Sequence, residues 1–228
     1  MIRYGSGIQR TLVAVVAMLT AACGNAAPSV STDSATSDET SAAATSSAPA
    51  EATEVQMLEP GRLDAGGTYE IPERGLSFSA EGDWLALLPS GGDVSLAGEN
   101  GVSVYILRPE TMLQADGSQA PLPEEPQAIA DAVGALGITD VTAVTPFQSD
   151  SGVEGLQVDL EAQGGSESSP LVTTGTGAFG LADGPARWII VPGDEGPVIF
   201  SIERADDPDI EASWEVAGPL LMSLSPAN

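Results

Sequence analysis

Apolar residues fall along this chain in three regimes. From Leu12 to Leu19 (LVAVVAML) they run unbroken behind Arg3 and Arg10. From Gly24 to Gln56 they nearly vanish, with Val30 and Val55 the only large apolar side chains among Ser, Thr, Ala and acids. Beyond Met57 they return as short alternating pieces bounded by Gly, Pro, Asn and Asp, a pattern that predicts strands and turns.

In this third regime Tyr69 to Ile71 and Leu76 to Ser79 flank a turn at Glu73-Arg74-Gly75. Trp84 to Leu88, Val94 to Leu96 and Val102 to Leu107 follow as strands, separated by the glycine turns SGGD and GENG. Ile129, Val133 and Leu136 share one helical face, and Pro126 suits an early helix position, so 127–136 is expected to be helical. Further strands are expected at Val141–Thr145, Val153–Leu160, Leu171–Phe179, Arg187–Val191 and Val198–Glu203, with Gln163–Pro170 (QGGSESSP) a loop. Asp207-Pro208 reads as a helix cap. The helix behind it would turn Ile210, Trp214 and Ala217 inward and end before Pro219, leaving Leu220–Leu224 to dock on the core. The expected fold class is α+β: one domain over 57–228, largely an antiparallel sheet of about eight strands with two helices. At 172 residues it can bury about 70% of its chain surface.

The first regime has the plan of a secretory signal peptide over residues 1–22: a basic start, a short apolar core and small residues at the end. Its uncharged run, Thr11 to Ala22, is 12 residues, whereas a membrane span needs about 20. Leu19-Thr20-Ala21-Ala22-Cys23 then resembles the lipobox of bacterial lipoproteins. That resemblance implies a diacylglyceryl group on the Cys23 thiol and cleavage just before it. Cys23 would become the N-terminus, held in the outer leaflet of the cytoplasmic membrane. Two acyl chains anchor stably where one binds only marginally. Residues 23–56 would be the lipidated end and a disordered tether, too polar to offset the entropy of ordering. Its mean reach is about 30 Å. Cys23 is the sole cysteine, so no disulfide is available.

A second resemblance lies in the domain. Leu63-Asp64-Ala65-Gly66-Gly67-Thr68-Tyr69, Gly75-Leu76-Ser77-Phe78, Asp83-Trp84, a late hydrophobic hairpin and a terminal LMSLSP follow one another. This order resembles poorly characterised secreted lipoproteins of actinobacteria. LSFSAEGDW is also similar to the opening of Mog1/PsbP-like domains, whose members are binding or accessory proteins. Neither resemblance brings a catalytic residue.

Composition removes whole classes of chemistry. There is no histidine, and all seven basic residues are arginine. Ser-His-Asp and Cys-His catalysis, Schiff-base lysines and imidazole metal sites are therefore excluded. Gly175-Thr176-Gly177-Ala178-Phe179-Gly180 fits G-x-G-x-x-G, but LADGPARWII follows where a dinucleotide site needs a helix. A glycine-rich strand and turn is the expectation. Asp206, Asp207, Asp209 and Glu211 cluster, as do Asp194 and Glu195, and read as solvated surface acids with at most weak Ca²⁺ affinity. Asp159, between Val158 and Leu160, is the acid most embedded in apolar sequence, and alternation is expected to turn it outward. Phe78, Trp84, Phe179, Trp188, Phe200 and Trp214 read as core, with Trp84 the one nearest a rim.

Without Arg3 and Arg10 the chain sets five arginines against 33 acids, a net charge of −28. Such a surface repels nucleic acid and anionic headgroups and favours cationic partners. The expectation is an envelope lipoprotein at the outer face of the cell membrane: a non-catalytic binding or accessory module for a protein or small-molecule ligand. No cofactor and no catalytic or metal-ligating residue is expected. The alternatives are a carboxylate-dependent envelope glycan hydrolase, with two carboxylates about 5–10 Å apart in a cleft, and a lipid or small-ligand carrier.

Overall fold

The two most apolar stretches of the chain, around Trp188 and Phe200, lie side by side at the centre of the fold. The structure, a computed structural model, describes residues 54–88, 93–163, 170–181, 184–204 and 209–227, all within one compact unit, Ala50–Asn228. The signal segment, Cys23, nearly all of the tether, Asp206 and Asp207 lie outside the described residues.

In chain order the elements are β1 (Val55–Met57), β2 (Gly61–Arg62), β3 (Thr68–Ile71), β4 (Leu76–Ser79), β5 (Leu85–Leu87) and β6 (Val94–Ala97). Then come β7 (Val102–Leu107), β8 (Thr111–Leu113), β9 (Gln119–Pro121) and helix α1 (Pro126–Gly134). Next are β10 (Thr139–Gln148), β11 (Glu154–Ala162), β12 (Pro170–Thr174), β13 (Gly177–Gly180), β14 (Pro185–Gly193) and β15 (Gly196–Arg204). Helix α2 (Ile210–Met222) and β16 (Ser225–Pro226) close the chain. The fold is α+β.

An eight-stranded antiparallel sheet in the order β10-β11-β14-β15-β7-β6-β5-β2 forms the centre. Alternation along β15 sends Val198, Phe200 and Ile202 to one core and Ile199 to the other. Both faces are thus buried at the centre of the sheet, though not at its edge strand β10, which is why β14 and β15 read as nearly unbroken apolar runs. One face carries α2 and a four-stranded sheet, β1-β3-β4-β16, whose Tyr69, Ile71, Leu76 and Phe78 join that core. The other carries α1, through Ile129, Ala130 and Val133, and a second four-stranded sheet, β13-β12-β8-β9.

The expectation of one sheet therefore needs correction: there are three. A sheet apolar on both faces must be covered twice, and much of the cover comes from strands of two to five residues, too short to show a period. Ordered pairing starts at Val55, inside the stretch assigned to the tether, where β1 lies parallel to β3. The run 171–179 is not one strand: β12 and β13 form a hairpin that turns at Gly175-Thr176, and no helix follows the glycines. Helix α2 is capped by Asp209 rather than Asp207. The Asp209 carboxylate accepts from the amides of Glu211 (3.0 Å) and Ala212 (3.2 Å). The helix also runs through Pro219 instead of stopping before it. Proline removes the bond to the Glu215 carbonyl, but continuing the helix buries Leu220 and Leu221 completely, which outweighs one lost bond.

Candidate functional site

Three chain reversals meet at one end of the central sheet. Pro126 opens α1 directly behind Glu124 and Glu125. Glu154-Gly155-Leu156 begins β11, and Pro192-Gly193-Asp194-Glu195-Gly196-Pro197 turns β14 into β15. Between them lies a surface groove of about 690 Å³. Four glutamates line it, Glu124, Glu125, Glu154 and Glu195, all exposed, above apolar wall provided by Pro126, Leu156, Pro192 and Pro197. A second hollow of about 370 Å³ shares Glu124, Glu195, Gly196 and Pro197 with it and continues to Arg108, Pro109, Glu110, Pro121 and Leu122.

The hairpin tip is held from beneath by arginines. Arg108 pairs with Glu195, and Glu73 stands 3.9 Å from the same guanidinium. Arg74 is buried in the β3–β4 turn, next to the hairpin: a Cβ on Gly193 would lie 3.2 Å from the Arg74 carbonyl, and one on Gly75 would strike Asp194. Burial, and then the charge of Arg108, lower the Arg74 pKa, while Asp93, Glu73 and Glu195 oppose that shift. Glu195 is thus tied down by Arg108, while Glu124, Glu125 and Glu154 face solvent at the groove rim.

Asp194 and Glu195, read from sequence as surface acids, are exposed, and Glu195 is drawn into the groove. Asp209 and Glu211 stand elsewhere, at the start of α2. Glu124, Glu125 and Glu154 were not singled out by sequence. The available signal was the run Pro123-Glu124-Glu125-Pro126, which sets two acids just ahead of a helix start. Among the described residues no three acids converge closely enough to hold a metal ion.

Asp159 is a correction. It does not face solvent but lies directly opposite Arg187 across β11 and β14. Arg187 Nε donates to Asp159 Oδ1 at 2.7 Å and Nη2 to Oδ2 at 2.9 Å, while Nη2 also reaches Glu211 Oε1 at 2.7 Å. The guanidinium stacks 5.2 Å from the ring centre of Trp214, which is half-buried on α2. The face that alternation calls outward from one core is covered here by α2. The hydrogen bonds that Arg187 donates to Asp159, foremost, raise the Arg187 pKa against the effect of burial.

The remaining polar clusters stabilise the fold. Thr174 donates to Asp93 at 2.6 Å and Thr176 bonds the same oxygen, so the glycine motif positions hydroxyls on the approach to β6. Trp188 donates to Ser201 at 2.9 Å, and Ser201 to Glu203 at 3.0 Å. Beside them burial, then Glu203, push the Tyr105 phenol up. Trp84, the aromatic expected nearest a rim, is only 2% exposed and donates to the Glu81 carbonyl at 2.9 Å.

No protein-family model matches this chain, and no curated protein is similar to it in sequence.

Proposed function

We propose that this chain is a lipid-anchored extracytoplasmic lipoprotein whose domain is a non-catalytic binding module of the cell envelope. Cys23 carries the anchor and the groove at the sheet end receives the ligand. The groove carries the reading. It has the size and the mixed apolar and polar lining of a ligand site. Its carboxylates are exposed, whereas an acid that donates a proton in catalysis needs shielding from water. The resemblance to actinobacterial lipoproteins and to Mog1/PsbP-like accessory domains points the same way.

The experiment is mass spectrometry of the N-terminal peptide from membrane fractions, paired with envelope glycan and ester substrates offered to the purified chain. The expected result is diacylglyceryl Cys23 and no turnover. An unmodified cysteine, or a mature end elsewhere, refutes the anchor. A second reading, a glycan hydrolase, draws on the presence of four glutamates in one groove. Turnover abolished by Glu124→Gln or Glu154→Gln alone would establish it and end the binding-module reading.

A further inference from the structure

The two hollows share the wall Glu195-Gly196-Pro197 and together extend well beyond what one small ion or amine fills. Their lining has two components. Leu122, Leu156, Pro126 and Pro197 give apolar contact, and the glutamates beside them are exposed. The many prolines lack an N–H, so the channel is poorly equipped to bind a chain by adding a strand to a sheet edge. Recognition would fall to side chains. Glu195 is already neutralised by Arg108, the one cation among the described lining residues, so the local balance is strongly negative.

From this charge and this apolar floor we infer that the channel docks a basic, extended protein segment, with arginines or lysines spaced by apolar residues. The inference rests on the binding-module reading and names its partner. The basic side chains meet Glu124, Glu125 and Glu154, and the apolar ones cover Leu156 and the prolines. A free divalent cation is poorly served, because no three acids converge among the described residues. A polyamine would leave the apolar floor uncovered. Arginines elsewhere do not compete for these acids: Arg62 pairs with Asp83 at 2.8 Å, Arg187 is held by Asp159, and Arg204 donates to the Asn100 carbonyl at 2.9 Å.

The test is a fluorescence-anisotropy titration of the full chain in detergent with a capped synthetic peptide alternating arginine and leucine. Saturable binding is expected. The double change Glu124→Gln with Glu154→Gln should weaken it about tenfold, the effect of two exposed charge contacts. The double change Glu81→Gln with Glu215→Gln, in a separate acidic hollow beside Trp84, should leave it unchanged. Replacing leucine by glycine in the peptide should weaken binding, and spermine should compete poorly. Equal losses from both pairs of variants would show diffuse attraction to an acidic surface and overturn the inference. So would equal binding of the glycine peptide, spermine competition at matched charge, or no binding at all. These outcomes are separate from the wider reading, which fails on an unlipidated Cys23 or on glycan turnover.

Discussion

Arg187 has 4% of its side chain exposed and two acidic partners of unlike value. Asp159 is 17% exposed and meets the guanidinium with both oxygens, so each group has lost most of its water for the other. Glu211 is 69% exposed and keeps its hydration whether or not it is paired. Removing one member of a desolvated pair strands its partner, at about 3 kcal/mol or more, whereas an exposed pair is worth about 0–1 kcal/mol. Asp159→Asn is therefore expected to lower the urea midpoint by an amount equivalent to about 3 kcal/mol, and Glu211→Gln by less than about 1 kcal/mol. Equal effects would mean that the guanidinium is as well hydrated toward Asp159 as toward Glu211. Sequence held half of this. It marked Asp159 as the acid most embedded in apolar residues, but alternation fixes only which face a residue takes. What covers that face is decided by α2, far along the chain.

At the scale of elements, legibility followed burial and length. Both long central strands were readable because each must satisfy two cores, and α1 because Ile129 and Val133 share a face. β8, β9 and β16 were not readable, since two or three residues carry no period and their pairing is set by the sheets they cover. The groove was illegible for a related reason: Glu124, Glu125 and Glu195 sit in connections, where local pattern is silent, Glu154 is one exposed strand residue among others, and only the meeting of three reversals makes a concavity. One of its residues is constrained from below. A Cβ on Gly155 would run into the Ile190 carbonyl oxygen and lie 2.8 Å from a Val191 methyl. The backbone of β14 cannot step aside without disturbing the ladder to β15. Gly155→Ala should thus cost about 1–3 kcal/mol through overpacking. Chemical denaturation checks it, and a cost near zero would mean that the two strands stand further apart than described.

At the scale of the molecule, charge is the dominant fact. All five arginines of the described domain are engaged internally: Arg62 with Asp83, Arg74 with the Glu73 carbonyl, Arg108 with Glu195, Arg187 with Asp159, and Arg204 with the Asn100 carbonyl. Acids nonetheless far outnumber these arginines, so the surface carries a large net negative charge, and compaction crowds it. The range of that repulsion is set by salt. The Debye length falls from about 30 Å at 0.01 M to about 3 Å at 1 M, so added salt should relieve it. The same salt weakens the exposed pairs Arg62–Asp83 and Arg108–Glu195, but such pairs contribute at most about 1 kcal/mol each. The buried Asp159–Arg187 pair is screened much less. Relief should win. The Tm is expected to rise by several degrees between 0.01 M and 1 M NaCl, since about 1 kcal/mol moves a domain of this size by about 2–4 °C. Choline chloride at equal ionic strength separates screening from ion binding. An equal rise with choline identifies screening, and a rise confined to sodium identifies a bound ion. A flat or falling Tm would show that the acids are spaced widely enough for repulsion to play no part.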